Sequence, residues 1–309
     1  MKSIYPDLTR HPYYIVTPNY TSQSGGVKAL HLLCHWLNRT GERAYILAYG
    51  GSDMVVNPDF LTPLLRPEIV DAHGADGLTP IVVYPEVVVG NPLQAQCVAR
   101  YVLNYPGLLG GDKVYAPEEL AFGFTKKLAE ACGPDAPVLH MPLVDRSIFN
   151  PGRPRLRKGA AFYAYKYRDL HGQQVFGLPD GAIEITKCRP DSQTPAVIAD
   201  ILRSVEVFYS FEDTQLNIEA LLCGCPVVLM RNSYLKTSLG EHEYGLDGIA
   251  LGDSPQELER ARDTVVAAQF NYQNLLDNFE IQLAELVKLT QAKAAQTPAA
   301  RVNASIIAA

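Results

Sequence analysis

The segment from Val205 to Met230, VEVFYSFEDTQLNIEALLCGCPVVLM, constrains the fold of this 309-residue chain more than any other stretch. An apolar, β-rich run ends at Ser210. A helix with one broad apolar face is predicted to follow and to end at Gly224, because glycine readily takes the left-handed backbone that ends helices. Pro226 then opens a second buried run, Val227–Met230. Strand, helix and strand in this order predict a parallel α/β sheet.

The loop between this strand and this helix is rich in polar side chains. Glu212, Asp213 and Thr214 lie in the loop, and Glu219 lies within the helix. Ligands gather at the carboxyl ends of parallel strands, and the free N–H groups of a helix start attract anions. With carboxylates suited to sugar hydroxyls, the loop predicts a nucleotide-sugar site. The alternative is that the acids only complement the helix dipole; this explains Glu212 and Asp213 well and Glu219 poorly.

The same segment resembles the donor-site motif of GT-B glycosyltransferases, especially the large retaining family 4. That motif has two glutamates separated by seven residues, then Ala, a short helix and Gly-x-Pro-Val-Val. Glu219–Ala220, Gly224 and Pro226–Val228 match it in register. The first glutamate of the motif is out of register, because the matching position is Phe211 and Glu212 follows it.

The resemblance implies the GT-B fold, an α/β protein with two Rossmann-like domains that face each other across a cleft. Residues 1–150 would form the acceptor-side domain, residues 151–293 the donor-side domain, and residues 294–309 a flexible tail. A long C-terminal helix is expected to cross back to the first domain. The segment 142–157, rich in proline and arginine, is the predicted linker.

The first half of the chain begins with a β-loop-α-β pattern but lacks the G-x-G-x-x-G dinucleotide fingerprint. Ser24, Gly25 and Gly26 stand at the predicted helix start instead. They form either a plain loop-to-helix turn or a site where the backbone approaches a ligand closely. The resemblance implies the second, near the donor phosphates or the acceptor. Further along, the residues near Leu93–Arg100 are predicted to form a helix.

A strand predicted over Ala160–Lys166 opens the second domain, and Lys166 and Arg168 lie at its end. From the residues alone, they are either a solvated basic pair or an anion site. The resemblance implies that they hold the donor diphosphate. It implies catalytic roles for Lys166 and Glu212, and donor-binding roles for Gly25, Gly26, Lys166, Arg168, Asp213, Thr214 and Glu219.

The sequence contains no Asp-x-Asp pair of the kind that holds a divalent ion in the other large transferase class. We therefore expect no metal and no cofactor, with the nucleotide diphosphate sugar as donor substrate. His31 and His35 lie one helical turn apart, but no third ligand is evident, so they are predicted to lie on a helix surface. The six cysteines contain no C-x-x-C pair and are predicted to be reduced core residues.

The net charge and the hydropathy of the chain limit its possible interactions with nucleic acids and membranes. The net charge is −6, which argues against general nucleic-acid binding. The chain has no long apolar segment, and its first residues do not resemble a signal peptide. We expect a cytoplasmic protein, either free or in peripheral contact with the inner face of the membrane.

The predicted reaction is metal-independent, retaining transfer of a hexosyl or deoxyhexosyl group from a nucleotide diphosphate sugar to a glycan or lipid-linked glycan, in the synthesis of a bacterial surface polysaccharide. Two alternatives remain. One is a GT-B nucleotide-sugar epimerase. The other is a noncatalytic nucleotide- or sugar-binding protein of the same fold, which the out-of-register Glu212 keeps open.

Overall fold

The computed structural model of the chain describes residues 8–48, 54–187, 189–235, 238, 240–298 and 302. The chain divides into two compact units. Unit 1 comprises Met1–Met141 and Asp277–Ala309, and unit 2 comprises Pro142–Leu276. The chain therefore enters unit 2 where the proline- and arginine-rich segment begins. Of the predicted tail, residues 299–301 and 303–309 lie outside the described residues.

Unit 1 is built on a five-stranded, all-parallel sheet with strand order β2-β1-β3-β4-β5. Its elements are β1 (Tyr13–Thr17), α1 (Gly25–Arg39), β2 (Ala44–Ala48), α2 (Pro67–Ala75), β3 (Ile81–Pro85), β4 (Cys97–Val102), β5 (Leu120–Gly123) and α3 (Lys126–Cys132). Every residue of β1, β3 and β4 is buried. Such burial on both faces explains why β1 and β3 read as continuous apolar runs rather than as an alternating pattern.

The helix predicted near Leu93–Arg100 is wrong, because much of this segment belongs to strand β4. Gln94 has a positive φ of 52°, which interrupts any helix before it starts. From Cys97 onward, the backbone pairs in parallel with β3, with Tyr101 opposite Pro85. Pairing with a neighbouring strand overrides the local helix preference of alanine and arginine.

Unit 2 is also built on a five-stranded parallel sheet, with strand order β10-β9-β8-β6-β7. Its elements are β6 (Ala160–Tyr163), a π-helical segment (Tyr165–Leu170), β7 (Ile183–Glu184), α4 (Pro195–Ser204), β8 (Val207–Ser210), α5 (Gln215–Leu222), β9 (Val227–Leu229), α6 (Glu241–Tyr244), β10 (Ile249–Ala250), α7 (Pro255–Thr264) and a 3-10 turn (Val265–Ala267). The last helix, α8 (Ala268–Gln296), begins in unit 2 and continues in unit 1.

Helix α5 is buried along almost its whole length. Thr214 caps its first turn, with its side chain accepting a hydrogen bond from the Leu216 N–H. All residues from Leu216 to Leu222 are buried, and the helix stops before Gly224, whose φ of 71° is left-handed as predicted. Polar side chains on a helix that is buried on all sides need hydrogen-bond or ionic partners within the protein or a ligand.

Two Rossmann-like α/β units confirm the predicted fold class. In each sheet the first strand of the unit lies between the second and the third, so the chain reverses its direction of travel across the sheet there. Such topological switch points lie between β1 and β3 in unit 1 and between β6 and β8 in unit 2, and they are where ligands bind in open parallel sheets. None of the helices in the described ranges is long and apolar enough to cross a membrane.

Candidate functional site

The switch point of unit 2 brings together Lys166 and Glu212, which are 46 positions apart in the sequence. The backbone N–H of Lys166 donates a hydrogen bond to Glu212 Oε1 at 2.9 Å. The Ser210 hydroxyl donates to the backbone carbonyl of Glu212 at 2.8 Å, which holds the loop after β8. The loops that follow β6 and β8 are therefore joined through Glu212, at the position where the topology favours a ligand.

Glu212 is an unusual carboxyl group, because it is only 6 % exposed. Burial raises its pKa, against the hydrogen bond from the Lys166 N–H and the nearby Lys166 charge. Its Oε2 atom is buried and has no hydrogen-bond partner among the residues that the structure describes. Buried polar atoms without partners are costly, and they concentrate at functional sites.

Glu212→Gln should change stability in a pH-dependent way. A raised pKa means that the folded state binds the proton more tightly than the unfolded state, so this group contributes stability at low pH. That contribution is lost as the pH rises above the ordinary glutamate pKa. The neutral glutamine avoids the loss, so we expect the variant to gain stability relative to the wild type as the pH rises from about 4.5 to about 8. The gain should be about 1–3 kcal/mol, the usual cost of burying a polar group without all of its partners.

Urea unfolding across that pH range measures the difference. Glu206→Gln, at an exposed position just before β8, corrects for the general effect of removing one negative charge. A Glu212→Gln difference that stays constant with pH would show that this carboxyl group is not buried in solution.

Lys166 and Arg168 lie in the π-helical segment that follows β6, because the strand predicted over residues 160–166 already ends at Tyr163. The Lys166 side chain is exposed and, within the described residues, forms no hydrogen bond or ion pair. Arg168 instead makes two hydrogen bonds to Glu184, at 2.6 and 3.1 Å, and one to Asp169 at 2.9 Å. The ammonium group of Lys166 is thus available to an anion, whereas the guanidinium of Arg168 is already matched by two carboxylates.

The remaining predicted residues of unit 2 line the start of α5. Asp213 and Thr214 are half-buried in the loop. Glu219 lies one turn further into the helix and is buried, with Oε2 at 3.3 Å from Lys187 Nζ. Lys187 was not predicted as a site residue, although its position shortly after a strand, β7, resembles that of Lys166 after β6.

Two further polar residues at the start of α5 were not predicted. Gln215 Nε2 and Asn217 Oδ1 are buried and, like Glu212 Oε2, have no hydrogen-bond partner in the described part of the chain. The Asn217 amide group also lies 3.5 Å from the Glu212 carbonyl, so these atoms belong to one loop and helix start. The signal in the sequence was the presence of polar side chains in the first turn of an otherwise apolar helix. Together they form a polar cluster suited to a ligand with many hydroxyl groups.

Gly25 and Gly26 belong to unit 1, at its own switch point. They form the first turn of α1, which Ser24 caps. A Cβ atom added to Gly26 would meet Leu103 at 3.6 Å, an ordinary contact, so packing within unit 1 does not require glycine there. Glu86, after β3, is buried and accepts a hydrogen bond from the Leu103 N–H at 3.0 Å; burial raises its pKa. The carboxyl ends of neighbouring strands thus present a glycine turn and a buried acid.

The histidines of α1 have structural partners. His31, predicted on a helix surface, is fully buried, with Nε2 at 3.0 Å from the Pro18 carbonyl. His35 Nδ1 accepts a hydrogen bond from the Leu61 N–H at 2.9 Å. Burial lowers the pKa of both rings. Among the described residues, no group of three or more His, Cys, Asp or Glu side chains could hold a metal ion.

Similarity to known proteins is limited to distant structural likeness. No protein-family model matches this chain, and no curated protein matches it significantly. Its structure is similar to that of the glycosyltransferase SnogD from Streptomyces nogalater, with a TM-score of 0.47 and 14 % identity over 90 % of this chain and 100 % of that one.

Two further solved structures show the same degree of likeness. The spinosyn rhamnosyltransferase SpnG has a TM-score of 0.42 and 15 % identity, over 90 % of this chain and 99 % of that one. A putative UDP-N-acetylglucosamine 2-epimerase from Listeria monocytogenes has a TM-score of 0.40 and 10 % identity, over 97 % of this chain and 94 % of that one. Likenesses of this size assign no activity to the chain.

Proposed function

We propose that this chain is a GT-B glycosyltransferase, with the family 4 motif, that transfers a sugar from a nucleotide diphosphate donor bound by unit 2. The observation that carries the proposal is the meeting of Lys166 and Glu212 at the switch point between β6 and β8, beside the start of α5. The ammonium group of Lys166 and the free N–H groups at the start of α5 suit the negative charges of a diphosphate. The carboxyl groups of Glu212 and Glu219 suit the hydroxyl groups of a sugar and a ribose.

In the proposed reaction, the bond between the anomeric carbon of the sugar and the diphosphate oxygen breaks, and a hydroxyl oxygen of the acceptor bonds to that carbon. Negative charge develops on the leaving diphosphate, which takes up the proton of the acceptor hydroxyl. Lys166 and the N–H groups at the start of α5 would stabilise that charge without a metal ion. Glu212 and Asp213 would contact the donor sugar, and Glu219 the ribose. Thr214 would cap the start of α5. Arg168 would bind the diphosphate after giving up one of its hydrogen bonds to a carboxylate.

The acceptor in this proposal is a glycan or lipid-linked glycan of a bacterial surface polysaccharide, met at the inner face of the membrane. Gly25 and Gly26 of unit 1 would allow close approach of the acceptor or the donor phosphates. The family 4 motif supports transfer of a hexosyl or deoxyhexosyl group with retention of configuration. These finer features rest on the sequence motif.

A second candidate is a noncatalytic nucleotide- or sugar-binding protein. It is favoured by one observation: Glu212 is out of register with the motif, and one of its oxygens is already bound by the Lys166 backbone. A carboxyl group held in this way has less capacity to contact a donor sugar.

Nucleoside diphosphates should bind unit 2, and Lys166→Ala and Glu219→Gln should each weaken that binding about tenfold, the size of one hydrogen bond to a charged group. A thermal-shift panel of nucleoside diphosphates identifies the base, because a bound ligand raises the unfolding temperature by mass action. Calorimetric titration then gives the affinities. Lys158→Ala, at the opposite end of β6, is the matched control and should bind like the wild type.

Turnover separates the candidate functions. Hydrolysis of the corresponding nucleotide sugars, unchanged by EDTA, would support the metal-independent transferase. Tight binding with no turnover of any donor would support the noncatalytic protein, and loss of activity in EDTA would overturn the metal-free chemistry. Unchanged affinity in both Lys166→Ala and Glu219→Gln would refute the donor site itself.

A further inference from the structure

Lys187 lies shortly after β7, at the carboxyl ends of the unit 2 strands, where Lys166 and Glu212 also lie. It forms an ion pair with Glu219. Its ammonium group is 3.3 Å from Glu219 Oε2, and the two side chains are only 15 % and 6 % exposed. Within the described residues, this is the one hydrogen bond that the Glu219 carboxylate makes. The pair uses Oε2 and leaves Oε1 for another donor.

The backbone around Lys187 is anchored. The side chain of Gln193 accepts a hydrogen bond from the Thr186 N–H at 2.8 Å and donates one to the Glu184 carbonyl at 3.1 Å. On the other side of Lys187, the Ser192 hydroxyl accepts from the Arg189 N–H at 2.8 Å. The lysine is thus presented to Glu219 from a loop tied to the end of β7, so the ion pair costs less side-chain and backbone entropy than a pair on a free loop.

Within the described ranges, the other titratable side chains that interact with Glu219 are Cys223, just after α5, and Tyr272 on α8. Burial raises the pKa of Cys223 to about 11 and also raises the pKa of Tyr272, so both are neutral near pH 7. Arg157 lies at the end of α5, where its guanidinium donates to the Cys223 carbonyl at 2.6 Å. Among the described residues, Lys187 is therefore the charged group in direct contact with the Glu219 carboxylate.

We infer that Lys187 is a positioning residue for nucleotide binding: it holds Glu219 Oε2 and so orients the carboxylate for Oε1 to accept a ribose hydroxyl. This rests on the proposed function. Without its charge-assisted partner, the Glu219 side chain would have to be ordered by the ligand itself, which costs side-chain entropy on binding. The ion pair with Lys187 thus sets the direction of the acceptor that the motif provides.

Lys187→Met should weaken the binding of the nucleoside diphosphate found in the thermal-shift panel about tenfold. The ratio of wild-type to variant affinity is measured by calorimetry. Lys187→Arg, which keeps the charge, should restore affinity to within about threefold of the wild type. Lys158→Met, at the opposite edge of the sheet, should bind like the wild type.

The loss of affinity in Lys187→Met must also depend on the presence of Glu219. In a Glu219→Gln background, which has no carboxylate to hold, adding Lys187→Met should cost little further affinity. An equal loss in both backgrounds, or wild-type affinity in Lys187→Met, overturns the inference while the donor site stands. If the wild type binds no nucleoside diphosphate, the donor site and the role of Lys187 fall together.

Discussion

Arg100→Met should lower the free energy of unfolding of unit 1 by about 3–5 kcal/mol, because it leaves a buried carboxylate without its partner. Arg100 is only 1 % exposed. Its guanidinium contacts Glu119 through two hydrogen bonds, at 2.6 and 3.1 Å, and donates to the backbone carbonyls of Val88 and Gly90 at 2.9 and 2.6 Å. The substitution removes every one of these donors at once.

The arginine also joins separate parts of unit 1. It stands on β4, and its guanidinium lies over the rings of Tyr84 on β3 and Tyr115 in the segment before β5, at 5.2 and 5.1 Å from the ring centres. Arginine over aromatic faces adds a cation–π attraction that is stronger when the group is desolvated. The side chain therefore ties the loops after β3 and before β5 to the sheet beneath them.

Urea unfolding followed by circular dichroism measures the loss. Lys288→Met is the control, because Lys288 forms an exposed pair with Glu285 and should change stability by less than about 1 kcal/mol. The double variant Arg100→Met/Glu119→Met should recover part of the loss, since no buried carboxylate then remains. A loss in Arg100→Met no larger than that in Lys288→Met would contradict the buried ion pair.

Gly111→Ala should destabilise unit 1 by about 2–4 kcal/mol, the sum of a strained backbone and a steric collision. Gly111 has a φ of 75°, which side chains other than glycine rarely adopt. An added Cβ would also collide with the backbone carbonyl of Glu86. The backbone cannot give way cheaply there, because the Glu86 side chain is held by the Leu103 N–H.

The neighbouring glycine provides a matched control. Gly110 also has a positive φ, of 97°, but an added Cβ would meet nothing within 4 Å. Gly110→Ala should therefore show only the backbone strain, about 1 kcal/mol, when the variants are compared by thermal unfolding. Amide exchange at Leu103 should accelerate in Gly111→Ala and not in Gly110→Ala. Equal effects of the two substitutions would mean that the loop does not pack against Glu86.

Much of the fold could be predicted because it depends on short-range signals. Apolar runs marked β1, β8 and β9, and the left-handed glycine at 224 marked the end of α5. These features depend on neighbours only a few positions apart, and the sequence displays those neighbours directly. The first part of strand β4, up to Arg100, was predicted as a helix for the complementary reason: its conformation comes from pairing with β3, which no local pattern around Ala99 and Arg100 records.

The candidate site divides in the same way. The types of its residues could be predicted from the sequence, because an acid after one strand and a lysine after another are local facts. Their partners could not be predicted. Arg168 could be named as a basic residue, but only the structure placed its guanidinium against Glu184 and Asp169.

The sequence by itself determined that this chain alternates strands and helices, and that polar and charged residues follow the strand ends of its second half. The tertiary structure decided which strand ends are neighbours. Because β6 lies between β7 and β8, Lys166 meets Glu212 across 46 positions, and Lys187 meets Glu219 across 32. Strand order depends on how whole elements pack, not on the residues beside each strand, so these contacts appear only in the folded protein.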